Sequence, residues 1–166
     1  MKLIDGKRVT TLTRHGLYGF FGEYAFLSNF EPSPLQLTGA SADGLTYATS
    51  EHAYMALKSK DLRVRATIAE LATPRLARDA GQLISMRADW DSYKPHAMLA
   101  AVRAKFQQNP KLAQKLLSTG MHYLEESNNW GDRYWGVVAG EGLNMLGKTL
   151  MQVRLELQLN PSLVRS

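Results

Sequence analysis

The chain has 166 residues, a formal net charge of +5 and no cysteine. At that length it reads as one domain, able to bury roughly two-thirds of the surface its unfolded chain exposes. The lack of cysteine excludes disulfides, thiolate metal sites and a cysteine nucleophile.

No apolar run approaches the length that spans a bilayer, and the first residues carry no apolar signal region. The expectation is a soluble, cytoplasmic protein with no membrane partner. His15, His52, His96 and His122 are scattered, with no pair at helical ligand spacing, so no metal site is expected. The positive charge weakly favours anionic partners such as nucleotides or nucleic acid.

Taken in order, Lys2-Leu3-Ile4, Asp5-Gly6 and then Lys7 to Leu12 read as a hairpin, because Asp-Gly between apolar runs is a two-residue turn signal. Gly16, Gly19 and Gly22 among Tyr18, Phe20 and Phe21 argue for a bent, close-packed segment. Phe26 to Phe30 has a polar centre, Ser28-Asn29. It is either a turn with a left-handed asparagine or a loop presenting both residues to a ligand. Leu35 to Leu37 reads as a strand, Gly39 to Gly44 as a loop, and Leu45 to Tyr47 as the strand that pairs back.

A helix follows. Thr49 suits its N-cap, and Glu51 and His52 fall in the first turn, where the helix dipole favours a carboxylate. Helical spacing puts Glu51, Tyr54, Met55 and Lys58 on one face. Glu51 and Lys58 would then stand roughly 10 Å apart along the axis and could flank one small ligand. The competing reading makes Glu51 a solvated first-turn acid and Lys58 a solvated lysine.

Leu62 to Leu71 predicts a helix. Thr73-Pro74 starts another that ends near Gly81. Trp90 is expected in a turn, with Asp91 or Ser92 capping a helix through Met98, Val102 and Phe106, and Pro95 in its first turn. Asn109-Pro110 restarts a helix closed by Gly120, and Met121 to Ser127 reads as a short strand. Asn128 to Val138 combines Trp130, Trp135, Tyr134, Asp132 and glycines in a segment too polar for a core element. Asn144 is expected to cap a last helix whose inner face is Leu146, Leu150, Val153 and Leu157. Its amides, after Gly142, are candidates for a phosphate site.

Aromatic walls with Asn and Ser donors suit a flat heterocycle. Carboxylates beside such a pocket suit cleavage of a glycosidic bond, where a fixed anion stabilises an oxocarbenium-like transition state. A buried lysine loses pKa and can attack a sugar aldehyde to give a Schiff base. Each residue has a structural competitor. The tryptophans are readable as core, Asp132 as an Asx-turn residue, and Arg154 as a solvent-facing side chain or a partner of Glu51 or of a phosphate.

The motifs resemble the YbiA-like, or NADAR, family from about Phe20 to Leu157. The resemblance is carried by Phe21-Gly22-Glu23, Leu27-Ser28-Asn29-Phe30, Thr49 to Tyr54 with Lys58, Thr73-Pro74, Ala77, Gly81 and Asp89-Trp90. It continues through Met98, Lys105-Phe106, Thr119-Gly120, Leu124-Glu125, Asp132, Trp135-Gly136, Gly142, Asn144, Leu146-Gly147, Leu150-Met151 and Arg154. It implies an α+β, mostly helical fold with small antiparallel β elements, divided as an N-terminal hairpin extension over 1–16 and the family domain over 17–160.

The resemblance also implies an N-glycosidase with no cofactor. Its substrate would be ADP-ribosylated guanine in DNA or RNA, reversing ADP-ribosylation and paired with a cognate ADP-ribosyltransferase. The alternatives are a phosphorylated ribosylamino-pyrimidine of riboflavin biosynthesis as substrate, or a non-catalytic ADP-ribose-binding module. Catalysis would fall on Glu51, Lys58 and Asp132, converging in one pocket. Binding would fall on Glu23, Ser28, Asn29, Phe30, His52, Trp90, Trp135, Gly136, Asn144 and Arg154. Met55, Leu57 and Val137-Val138 depart from the family pattern, which bears on substrate preference more than on catalysis.

Overall fold

A computed structural model describes residues 2–4 and 7–164. The chain is α+β and mostly helical, as expected. It falls into two units, one built from the segment up to Ser28 together with Lys111–Leu163, the other from Asn29–Pro110.

The middle unit opens with β5 (Leu35–Gln36) and β6 (Thr46–Tyr47), which pair antiparallel as the sequence predicts. Its helices are α1 (Ser50–Ala56), α2 (Leu62–Ala69), α3 (Pro74–Leu83) and α4 (Trp90–Gln108). Thr49 caps α1 by accepting from the His52 amide, and Thr73 caps α3 by accepting from Leu76, with Pro74 at its first position.

α1 packs against α2, α3 and α4, and every residue from Ser50 to Leu57 is buried. The predicted single inward stripe therefore understates it, since this seven-residue helix is covered on all sides. It also ends earlier than its spacing suggested. Lys58 lies beyond the C-cap Leu57, in a tight turn whose amide bonds the Met55 carbonyl at 3.2 Å.

Trp90 is not in a turn. It is the first residue of α4, with Asp89 at the N-cap position. Pro95 consequently sits one turn deeper than expected and removes one backbone bond, the one to the Asp91 carbonyl. α3 runs on past Gly81 to Leu83.

The terminal unit holds a hairpin of β1 (Lys2–Ile4) with β2 (Lys7–Val9), antiparallel as predicted. Its proposed turn residues, Asp5 and Gly6, lie outside the described residues. Thr10 interrupts the second strand, and β3 (Thr11–Leu12) joins a different sheet of order β3–β4–β7, with β4 at Gly16–Tyr18 and β7 at Tyr123–Glu125. β3 pairs antiparallel with β4, but β4 and β7 run parallel, which needs the long crossover that separates them in sequence. α5 (Pro110–Ser118) ends at Gly120 with φ +58, the left-handed residue that closes many helices. α6 (Met145–Leu159) buries Leu146, Leu150, Val153 and Leu157, the face read from its spacing.

The Asn144 expectation is overturned. Its side chain makes no cap bond; it accepts from Glu126 N at 3.1 Å and donates to Leu124 O and Tyr123 Oη, both at 2.8 Å. The phosphate expectation at this helix end fails for a related reason. The amides of Leu143, Met145 and Leu146 already donate to the carbonyls of Arg133, Tyr134 and Trp135. Donors so committed are not free for an anion.

Candidate active site

In the middle unit, Glu51 occupies the first turn of α1 and is 7% exposed. Burial of a carboxylate is tolerable there because the helix N-terminus supplies a positive field. Its own amide donates to the Asn29 carbonyl at 3.1 Å, which ties the loop before Phe30 to the start of the helix.

Lys58 is half-buried. Its ammonium donates to the Gly81 carbonyl at 2.8 Å and stands 5.8 Å from the centre of the Trp90 ring. Burial holds its pKa below the ordinary lysine value; the Glu51 anion opposes that shift and Arg78 adds to it. Trp90 packs on Tyr54 with ring centres 5.3 Å apart and leads on to Tyr93 at 6.5 Å. Glu51, Lys58 and Trp90 are thus coupled by charge and contact within one unit.

Other predicted residues play structural parts. His52 donates from Nε2 to Leu71 O at 3.0 Å, because a carbonyl can only accept. Its Nδ1 then accepts from the Thr49 hydroxyl at 2.8 Å. With both nitrogens committed and burial lowering its pKa, His52 anchors α1 instead of meeting substrate. Asn29 does not have the left-handed backbone of the turn reading. It is also not presented to a ligand as its loop suggested: Oδ1 accepts from Ser50 Oγ at 3.0 Å, and Nδ2 points to Met98 Sδ at 3.2 Å. Phe30 beside it is exposed.

In the terminal unit, Asp132 and Trp135 share one loop. Asp132 Oδ1 accepts from the amides of Tyr134 at 3.1 Å and Trp135 at 2.8 Å, the Asx-turn geometry. Asn128 clasps the Asp132 backbone from both sides. That leaves Asp132 Oδ2 without a protein hydrogen bond among the described residues, so the turn role and a chemical role are compatible. Trp135 meets Tyr134 edge-on at 4.9 Å.

Gly136 is explained by packing and not by a ligand, since a Cβ there would lie 2.5 Å from Asn128 Nδ2 and closer still to the Glu126 carbonyl. Arg154 is buried and donates to Thr119 Oγ1 at 2.7 Å. Among the described residues no carboxylate lies within ion-pair distance of it, and burial lowers its pKa from the usual value. Ser28 ends the 3-10 turn Gly22–Leu27.

Glu23, in that same turn, is exposed and lines a pocket of about 370 Å³. Its companions there include Phe26, Lys115, Thr119 and His122, none of them site residues by sequence. Sequence reading also missed Gly81 and Arg78 as the surroundings of Lys58. A glycine within a helical run was the available signal for the first. No group of three or more His, Asp or Glu residues able to hold a metal occurs among the described residues, and no helix there is long and apolar enough to cross a membrane.

The NADAR domain model matches residues 19–158. The chain is 36% identical over 162 residues to the N-glycosidase YbiA of Escherichia coli K12, covering 94% of this chain and 98% of that protein. It is 39% identical over 140 residues to the riboflavin biosynthesis protein VVA0006 of Vibrio vulnificus, covering 81% of this chain but 36% of that protein. The NMR structure of E. coli YbiA superposes with a TM-score of 0.76 at 32% identity, covering 93% of this chain and 92% of the other. Fold and sequence agree, and the chain belongs to the NADAR family.

Proposed function

We propose that this protein is an N-glycosidase, a hydrolase of N-glycosyl bonds, and that it removes ADP-ribose from ADP-ribosylated guanine. The observation that carries the reading is the desolvated Lys58 amine beside Trp90, under the field of the buried Glu51 carboxylate. Similarity to an N-glycosidase over nearly its whole length supports the reaction class. An aromatic wall next to a fixed anion suits a flat base leaving a cationic sugar.

In this reading Glu51 stabilises positive charge at the ribose C1′ or activates water. Lys58 supplies an amine to C1′: the C1′–N bond to the base breaks, the base takes a proton, and the ring oxygen leaves as a hydroxyl to give an imine. Water then hydrolyses the imine and frees the sugar and the amine. Asp132 is assigned to the sugar, Trp90, Trp135 and Phe30 to stacking, and Arg154 to substrate phosphate. An ADP-ribosyltransferase is the enzyme class that makes such a substrate, and so is the proposed counterpart.

A second reading takes a phosphorylated ribosylamino-pyrimidine as substrate; the similarity to a protein named for riboflavin biosynthesis favours it. Incubation with ADP-ribosylated guanine DNA and, separately, with the pyrimidine ribosyl phosphate decides between them by which base is released. Release from neither, with ADP-ribose bound, would make the protein a binding module. Borohydride added during turnover should trap a sugar on Lys58. Turnover without any trapped adduct would favour direct attack by water.

A further inference from the structure

Ahead of the family match at residue 19, two side chains of the terminal unit bear on its aromatic residues. Arg8, on β2, places its guanidinium carbon 5.5 Å from the centre of the Phe21 ring and 5.5 Å from the centre of the Trp130 ring. Both distances are within cation–π reach. Two residues on, Thr10 Oγ1 accepts from Phe21 N at 3.0 Å and lies 2.8 Å from Gly19 O and 2.9 Å from Phe21 O. The same strand segment therefore fixes the backbone of Phe21 and covers its ring.

Trp130 stands at the tip of the loop that carries Asp132 and Trp135. The hydrogen bonds that shape this loop lie below its tip: Asn128 to Asp132, Asp132 to Tyr134 and Trp135, and the carbonyls of Arg133, Tyr134 and Trp135 to the amides of Leu143, Met145 and Leu146. Among the described residues, the backbone groups of Asn129, Trp130 and Gly131 make no hydrogen bond. Gly131 sits at φ +89, so the tip turns where a side chain would be strained. Trp130 is 42% exposed, and Arg8 is the charged group that meets its ring. Among the described residues, Arg8 is the polar group that meets the tip.

We propose that Arg8 is a positioning residue: held between Phe21 and Trp130, it fixes the tip of the 128–135 loop and so sets where Asp132 and Trp135 stand for substrate. The kinetic part rests on the N-glycosidase reading; the loop part does not. A guanidinium is flat and can lie against two rings at once, whereas an ammonium keeps the charge but loses the plane. Lysine at this position should therefore rescue in part.

The test uses the full chain as wild type, Arg8→Ala, Arg8→Lys and Thr10→Val, followed by hydrogen exchange and by turnover of ADP-ribosylated guanine. In Arg8→Ala the hydrogen-bonded amides of Asp132, Tyr134 and Trp135 should exchange about fivefold faster while those of α1 and α6 are unchanged. KM should rise by about the same factor with kcat kept within about twofold. Arg8→Lys should fall between, and Thr10→Val should shift the same amides by less. Unchanged exchange at the amides of Asp132, Tyr134 and Trp135 in Arg8→Ala overturns the proposal. So does faster exchange across the whole chain with a lower Tm, which would mark Arg8 as a general stabiliser. A wild type that hydrolyses neither substrate would remove the glycosidase reading, and the exchange comparison would still decide the role of Arg8 in the loop.

Discussion

The Lys58 ammonium donates to the carbonyl of Gly81, and Gly81 is also where α3 meets Met55 of α1. A Cβ at Gly81 would lie 2.9 Å from Met55 Cβ and Cγ, and nearer still to its sulfur. One missing side chain thus sets both the helix approach and the position of the acceptor that holds the amine. Gly81→Ala should cost about 1–3 kcal/mol by overpacking and should lower kcat, because the displaced carbonyl no longer seats Lys58. Adding Met55→Ala should return part of both. A thermal melt of wild type and both variants with matched kinetics checks this; a Gly81→Ala protein with unaltered Tm and kcat would dissociate the two roles.

Glu51 and Lys58 should be separable by pH. Burial lowers the Lys58 pKa and the Glu51 anion raises it, so Glu51→Gln should lower it further. Reductive alkylation by a small aldehyde reads the neutral amine, and its half-point at Lys58 should move to lower pH in Glu51→Gln. The stability sign follows from the same shift. Between the depressed folded pKa and the ordinary 10.5, the unfolded chain binds a proton that the folded one does not, so stability gains from Lys58 as pH rises through that window. Glu51→Gln and Lys58→Ala should each abolish turnover in a folded protein. Full activity in either removes that residue from the mechanism.

The caps at Thr49 and Thr73, the Leu146–Leu157 face of α6 and the β5–β6 pair were legible because each depends on residues adjacent in sequence. The parallel partnership of β4 and β7 was not, since nothing local in either strand names a partner so far along the chain. The same division runs through the site. Glu51, Lys58 and Trp90 stood out as residue types in unusual company, and the structure couples them. Asn29, His52, Gly136 and Asn144 stood out equally, but their polar groups or missing side chain are consumed by neighbours distant in sequence, such as Met98, Leu71, Glu126 and Leu124. A sequence motif marks that a side chain is needed, and burial decides whether a ligand or the fold needs it.

Lys105 offers a second titration, independent of the site. It is 1% exposed on α4, and burial pushes its pKa down to about 7, against the pull of Glu31. From about pH 7 upward the unfolded chain carries a proton there that the folded chain has shed. Wild type should therefore gain stability relative to Lys105→Met by up to about 1.4 kcal/mol per pH unit until the ordinary lysine range is reached. Urea midpoints of both proteins across that range give the difference directly. Parallel pH profiles would mean that Lys105 stays charged in the folded protein.

Asn144 combines a left-handed backbone, φ +51, with hydrogen bonds to Glu126 N, Leu124 O and Tyr123 Oη. The two features make separable contributions. Asn144→Ala loses the bonds and places a Cβ residue in the left-handed region, for an expected loss of about 2–4 kcal/mol. Asn144→Gly loses the same bonds but tolerates the backbone, and should be about 1 kcal/mol less destabilised than the alanine variant. Equal losses in urea unfolding would show that the backbone carries no strain and that the amide alone locks α6 to β7. A glycine variant near wild type would reverse that assignment and leave the three hydrogen bonds with little net weight, because water would then satisfy Glu126 N and Leu124 O as well as the asparagine does.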